Sequence, residues 1–325
     1  ATALLDAEPR SRSFQNIDMT YRQVVEEILK DTPNASADFS TLADQAIQKP
    51  LIQYEETDWT FIKRLASMLG TQLIPDCTTP FPFFYFGQVP HGQGTLCADE
   101  YSYLLDKRFY EQGSSECGLY KPDFMCYIAK DIQYFNLGDQ VSFNEQALVI
   151  CEQDGILENG EVQYTYKIGH PGWFFQQEIK NEKLTGLSLV GTVQKTERET
   201  IRVKLDIDEG RDAGSYPFSW TQESGNIMYC MPKIGTRVTL YIPSCDSGEA
   251  VIINSPRVNG EDCKDMTNPQ KRCFTTEHGK KMCLYPQHMI FSGGLPNEAL
   301  QIELNQLNYL LLLSTRSIQL VAKLD

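Results

Sequence analysis

The sequence predicts a mainly β protein of several domains with an α+β N-terminal part. Three observations carry this. Helical periodicity is confined to the stretch before Gly70; from Tyr101 onward short runs alternate apolar and polar residues between Gly, Asn and Asp turns; and the 16 Tyr and 16 Phe suit pleated surfaces. At 325 residues and roughly 100–200 residues per domain, about two or three domains are expected, each able to bury a core.

Taken in order, the first element is a helix. Thr20 and Gln23 fit a capping box, Val24, Val25, Ile28 and Leu29 recur at helical spacing, and Asp31, Pro33 and Asn34 stop it. A short strand over 50–54 precedes a second helix with Thr57 or Asp58 as N-cap. Its Trp59, Ile62, Leu65, Ala66 and Leu69 lie on one face, Gly70 ends it, and Lys63 and Arg64 fall on the opposite, wet side. Leu73 and Ile74 then lead into a Pro-rich stretch over 80–86.

Beyond Tyr101, strands are expected over 124–128, 140–143, 147–151 and 161–169. The last places Val162, Tyr164, Tyr166 and Ile168 on one face against Gln163, Thr165 and Lys167 on the other. A third unit follows. Strands over 189–193, 201–207, 218–220, 227–231, 237–242 and 250–253, with a turn over 208–214, have the close spacing of an OB-like barrel. A polar linker over 259–271 leads to strands in which Leu300, Ile302 and Leu304 alternate with Gln301, Glu303 and Asn305. Leu310 to Leu313, Ile318 and Leu320 continue the pattern. Such strands are too short to cover their own apolar face and need neighbours from repeats or from other chains.

Composition narrows the function. The net charge of −14, from 29 basic against 43 acidic side chains, repels phosphate backbones and anionic lipid, so no nucleic-acid partner is expected. No run approaches the roughly 18 apolar residues of a membrane span. The start at Ala1 shows no signal peptide and reads as trimmed. The 10 cysteines form no CxxC pair, which leaves reduced, packed thiols as the expectation. Cys273, His278, Cys283 and His288 recur every five residues; they are the candidate metal ligands, but zinc sites gather ligands in close pairs across a turn, so no metal is expected.

Catalytic templates are sparse. His91 to Gly94 reads HGQG without any GxSxG elbow, which is a flexible turn rather than an oxyanion loop. Glu55, Glu56 and Asp58 could serve as glycosidase acids, but their place before a helix favours capping and packing. No catalytic residue and no cofactor is expected. The barrel loops around 208–215 leave room for a sugar-binding groove.

One motif goes further. Gln53-Tyr54-Glu55-Glu56-Thr57-Asp58-Trp59, followed by Phe61, Arg64 and Leu65, resembles the QY-x-E-T-D-W-x-F-x-x-R-L-A pattern of the phage-tail hub and spike family. That family includes VgrG of type VI secretion and the phage late-control proteins. Asn136-Leu137-Gly138-Asp139-Gln140-Val141 and Met231-Pro232-Lys233-Ile234-Gly235-Thr236-Arg237-Val238 are similar to two further family features, and 275–290 to the start of its spike.

The resemblance implies an architecture. Residues 1–100 would be an α+β hub region whose first six residues are the last strand of a tube-like barrel, and 101–186 a second hub barrel. Residues 187–258 would be an OB-fold, and 259–325 the linker and root of an intertwined β-helical spike. It further implies a homotrimer that joins tail tube and baseplate proteins to a membrane-puncturing spike, with a tip protein or effector cargo. Such a machine assembles in the cytoplasm and is delivered outward on contraction. The 259–271 linker is too short to hold the lysozyme domain of some relatives, so muramidase activity is not implied.

Overall fold

The structure is a computed structural model that describes residues 2–76, 78–88, 92–98, 100–112, 119–158, 160–222, 230–256, 263, 267–276, 278–293, 300–307 and 309–319. It divides into two compact units, Ala1–Pro256 and Arg257–Asp325.

The first unit opens on a 3-10 turn over Thr2–Asp6, not the strand expected there. The turn drops Leu5 into the core below the helices. Then come β1 (Pro9–Phe14), α1 (Tyr21–Leu29), β2 (Ser36–Phe39), β3 (Leu51–Thr57), α2 (Asp58–Met68), β4 (Leu73–Pro75) and β5 (Phe83–Phe86). The expected capping box closes α1: Thr20 Oγ1 accepts from the Gln23 amide, and Gln23 Oε1 accepts from the Thr20 amide at 2.9 Å. Its face of Val24, Val25, Ile28 and Leu29 packs with Phe14, with Phe61, Ile62 and Leu65 of α2, and with Phe84 and Phe86 of β5. The Pro-rich stretch thus ends in a core strand.

Next come β6 (Gln93–Thr95), β7 (Tyr101–Leu105), α3 (Arg108–Gln112), β8 (Met125–Asp131), β9 (Gln140–Phe143), β10 (Gln146–Glu158) and β11 (Glu161–Gly169). The strands form one sheet in the order β6-β9-β10-β11-β8-β7. The sheet rolls up: Tyr101 on β7 meets Phe143 on β9 edge-on at 5.2 Å although three strands lie between them. Inside lie Val141, Phe143, Leu148, Ile150, Tyr166 and Ile168. The HGQG stretch contributes β6, parallel to β9, so Gln93 to Thr95 form a strand and not a free turn; His91 lies outside the described residues. Val162 is exposed instead of inward-facing because β8 stops pairing at Tyr164, and the β10–β11 hairpin runs past the sheet.

The barrel comprises β12 (Leu187–Glu197), β13 (Thr200–Leu205), β14 (Phe218–Trp220), β15 (Arg237–Ile242) and β16 (Val251–Asn254). It closes in the order β12-β13-β14-β16-β15, with β14 and β16 parallel and the other pairs antiparallel, as in an OB-fold. Gly191 lets β12 cross closely, since a Cβ there would stand 2.8 Å from the Lys204 carbonyl oxygen. Of the strand expected over 227–231, residues 227–229 lie outside the described ones, and Met231 is in no strand.

The second unit is an antiparallel sheet of β17 (Arg272–Thr275), β18 (Lys281–Leu284), β19 (His288–Ser292), β20 (Leu300–Asn305) and β21 (Tyr309–Ser314), paired in sequence order. A disulfide joins Cys273 and Cys283, directly opposed on β17 and β18 with Cα atoms 4.3 Å apart. This corrects the expectation of thiols that are all reduced: residues ten apart in sequence become neighbours across a hairpin. Leu320 lies outside the described residues.

Candidate functional site: an ion-paired junction and an uncovered strand face

The QYEETDW motif runs along β3 and into α2. Successive side chains of a strand point to opposite faces, so Leu51 enters the helical core while Ile52, with Tyr54 half-buried beside it, enters the barrel core next to Leu184, Leu189 and Val238. The motif is therefore the seam between the two. Thr57 is the N-cap of α2, with Oγ1 accepting from the Thr60 amide, and Asp58 sits in the first turn. Trp59 packs edge-on against Phe84 at 5.2 Å.

The seam holds two buried ion pairs. Arg12 donates from Nε to Gln53 Oε1 at 2.6 Å, from Nη1 to Asp31 at 2.6 Å, and from Nη2 to Asp58. Gln53 Nε2 in turn donates to Asp58 Oδ1 at 2.9 Å and to the Glu56 carbonyl at 3.0 Å. Arg64 donates to Glu56 Oε1 at 2.6 Å and to the Ile52 carbonyl at 2.7 Å, and lies over the Phe61 ring. Arg64 is thus 2% exposed, not on the wet face. The helical wheel sets it opposite the face centred on Ile62 and Ala66, but β3 provides a second packing surface there.

Each buried carboxylate of the motif is engaged by a guanidinium. Glu55 is different: exposed, at φ 45°, it is the extra residue of a bulge against β1, and Lys183 donates to its carbonyl at 3.0 Å. A left-handed backbone at a non-glycine residue costs roughly 1–2 kcal/mol. Glu55→Gly should therefore leave the melting temperature equal or higher; a loss of several degrees would show that the side chain matters more than the bend.

Sequence reasoning missed the partners of the seam, because they come from far away. Ser13 on β1 donates from N at 2.7 Å and from Oγ at 2.8 Å to Asp208, which is 195 residues distant in the barrel loop. Arg211 donates to the Ser13 carbonyl at 2.5 Å. Burial is the largest influence on Asp208 and pushes its carboxyl up, against the pull of Ser13 and Arg211. A carboxyl raised in the folded state contributes stability below its unfolded pKa and loses it as pH rises through the folded value. Asp208→Asn removes this contribution, so the melting temperature of the variant minus that of the parent should increase from pH 4 to pH 7. A flat difference would count against it.

The other family-like motifs form turns. Gly138, at φ 86°, lets Asp139 fold back so that its carboxylate accepts from Gly92 N at 2.9 Å and Asn136 N at 2.8 Å ahead of β9. Gly235, at φ 83°, donates to the Val193 carbonyl at 2.9 Å; Pro232 is buried and Val238 enters the barrel core.

In the second unit, Cys273 and Cys283 are consumed by their disulfide, and His288 stacks on Tyr285 with centroids 4.4 Å apart. Among the described residues no group of three or more His, Cys, Asp or Glu is placed to hold a metal ion. Of the remaining thiols, burial pushes Cys126 up to about 11 and Cys151 higher still, so both stay protonated near neutral pH.

The strand register sets a continuous apolar face across this sheet. One row runs Phe274, Met282, Phe291, Ile302, Leu312, and the next continues Leu284, Met289, Leu304, Leu310. Directly opposed residues share a face. Leu304 and Leu310 are 47% and 58% exposed, and Phe274, Phe291 and Ile302 are exposed too.

A rolled β-sheet, a helical insert carrying the ion-paired seam, an OB barrel and a strand meander with an exposed apolar face make up a fold shared with solved phage-tail and type VI secretion proteins. Comparison with solved structures agrees. A component of the type VI secretion system from E. coli, c3393, itself similar to the T4 bacteriophage tail proteins gp27 and gp5, aligns with a TM-score of 0.54 and 14% identity over 79% of this chain and 76% of that one. A chain of the half-lidded Francisella PdpA–VgrG complex aligns with a TM-score of 0.55 and 8% identity over 96% of this chain and 70% of that one. No protein-family model and no curated protein sequence matches the chain.

Proposed function

We propose that the chain is the structural hub and spike-root protein of a contractile, phage-tail-like injection machine, acting as a homotrimer and not as an enzyme. In this reading residues 1–100 and 101–186 form the hub that meets tail tube and baseplate, 187–258 is the collar, and 259–325 begins the puncturing spike. The observation that carries it is the apolar face of β17 to β21. A two-row stripe of Phe, Met, Ile and Leu left in water is unfavourable by roughly 25 cal/mol for each Å², and copies of the same face around an axis would cover it. The fold shared with a type VI secretion component, and with a chain from a complex in which VgrG binds PdpA, supports placement in such an apparatus beside a tip or cargo protein. The engaged state of Glu56 and Asp58 supports a mechanical role over a hydrolytic one. Light scattering on the purified protein should return three times the 37.0 kDa chain mass; a monomer would overturn the reading.

A further inference from the structure

The outer half of the β10–β11 hairpin has no third strand. Beside β10, β9 pairs only from Gln146 to Val149, and Ile150 still bonds to Gly138 and Asp139. Cys151 is the extra residue of a bulge against β11, and past it no strand or backbone bond reaches the open side of β10 among the described residues. On the far side of β11, β8 stops at Tyr164. Hydrogen-bonded and non-bonded pairs alternate in an antiparallel ladder, and the bulge shifts the count by one. Gln153, Gly155 and Leu157 therefore aim their amide and carbonyl groups at the open edge. Ile156 and Leu157 are 57% and 71% exposed there. Two strands alone are marginal in water, and a free edge is a template for pairing with another chain.

The surroundings of this edge select the strand that fits. An open cleft of about 490 Å³ adjoins it, lined by Gln153 of β10, by Tyr134 and Leu137 ahead of β9, and by Ile74, Asp76 and Tyr85 around β4 and β5. Ile74 and Leu137 make its floor apolar, and Tyr134 packs edge-on against Tyr164 at 5.5 Å. Its charge is negative: burial first, then the carboxylates of Asp76, Asp38 and Asp139, push the Tyr85 hydroxyl up. Glu152 and Asp154 on β10 itself are exposed acids, and the neighbouring cation, Lys167 of β11, is already bonded to Glu152 at 2.7 Å. A second copy of a −14 chain brings like charge to such a site. A strand with one apolar face and one basic face meets both the cleft floor and the acids.

We propose that the open edge of β10 takes up, by strand addition, an extended segment of a partner protein in which apolar and basic residues alternate. Main-chain bonds to Gln153, Gly155 and Leu157 supply the affinity, while Ile74, Leu137, Glu152 and Asp154 select the sequence. The edge lies wholly within the first unit and needs no second copy, so its fate is separate from that of the trimer, which is read by mass.

Fluorescence anisotropy on the full chain tests this with a labelled, end-capped peptide of alternating valine and lysine, and with its valine–glutamate counterpart. The lysine peptide should saturate, with the glutamate peptide weaker by about tenfold or more. Asp154→Lys, an exposed change, should weaken the lysine peptide by about tenfold with the melting temperature unchanged. Gln153→Pro removes one donor at an edge position that tolerates proline, and should do the same. Lysine peptides N-methylated on every valine or on every lysine read the same bonds should Gln153→Pro unfold. An added strand turns only alternate amides toward β10, so one of the two should lose about tenfold and the other bind like the parent. No saturation, equal binding of the glutamate peptide, or indifference to both methylations would overturn the proposal. So would self-association of the chain that Gln153→Pro abolishes, since the occupant would then be a second copy.

Discussion

Arg64→Met should lower the stability of the first unit by about 3–5 kcal/mol, because it strands Glu56 in a buried site without its cation. Glu56 is 8% exposed and takes both of its guanidinium bonds from Arg64. The same change frees the Ile52 carbonyl and removes the cation from above Phe61. For a unit of this size each kcal/mol is worth about 2–4 °C, so the melting temperature should fall on the order of 10 °C. Replacing both partners, Glu56→Leu with Arg64→Met, should restore much of the loss, since two apolar groups of similar volume need no solvation. If Arg64→Met alone melts within a degree of the parent, the pair is not a structural lock. If the double variant is as poor as the single, the loss comes from packing and not from the stranded charge.

That pair also marks where the sequence was readable and where it was not. Local rules carried the local features: Thr20 and Gln23 announce their capping box, Thr57 its helix, and the alternation along 201–205 its barrel strand. Fold-level order was readable as well, because the motif of β3 and α2 and the OB-like spacing stand in a recognisable succession. What failed was tertiary. Arg64 looks solvent-facing on a helical wheel, which knows nothing of β3 returning beneath it. Arg12 pairs across 46 residues with Asp58, and Ser13 across 195 with Asp208; no spacing rule reaches so far. Val162 obeys the alternation that placed it inside, yet β8 is too short to cover it. The five-residue spacing of cysteine and histidine looked like a ligand series, whereas two of its members are simply opposite one another in a hairpin.

If copies of the chain meet through the face of β17 to β21 as proposed, placing aspartate at Ile302 and Leu304 together should dissolve the trimer into single chains without unfolding the first unit. Both residues stand in the middle of the uncovered face, in adjacent rows of the same sheet. In a lone chain they are 42% and 47% exposed, so the carboxylates would remain in water and the monomer would be little affected. Between copies the same carboxylates would be buried without partners, at a cost of several kcal/mol each. Every 1.4 kcal/mol is about a tenfold change in an association constant, so even a tight complex should fall apart at micromolar concentrations. Gln301→Asp on the opposite face is the control: it adds a charge to the same strand, where Gln301 sits between Ser292 and Leu313, and should leave the mass unchanged. Dissociation by the face variant alone would show that apolar burial on this side of the sheet holds the copies together. Dissociation by both would point to general charge repulsion, which a −14 chain could supply without any shared core. If the paired aspartates leave the mass at three chains, the copies meet elsewhere, and the apolar face is not what holds them together.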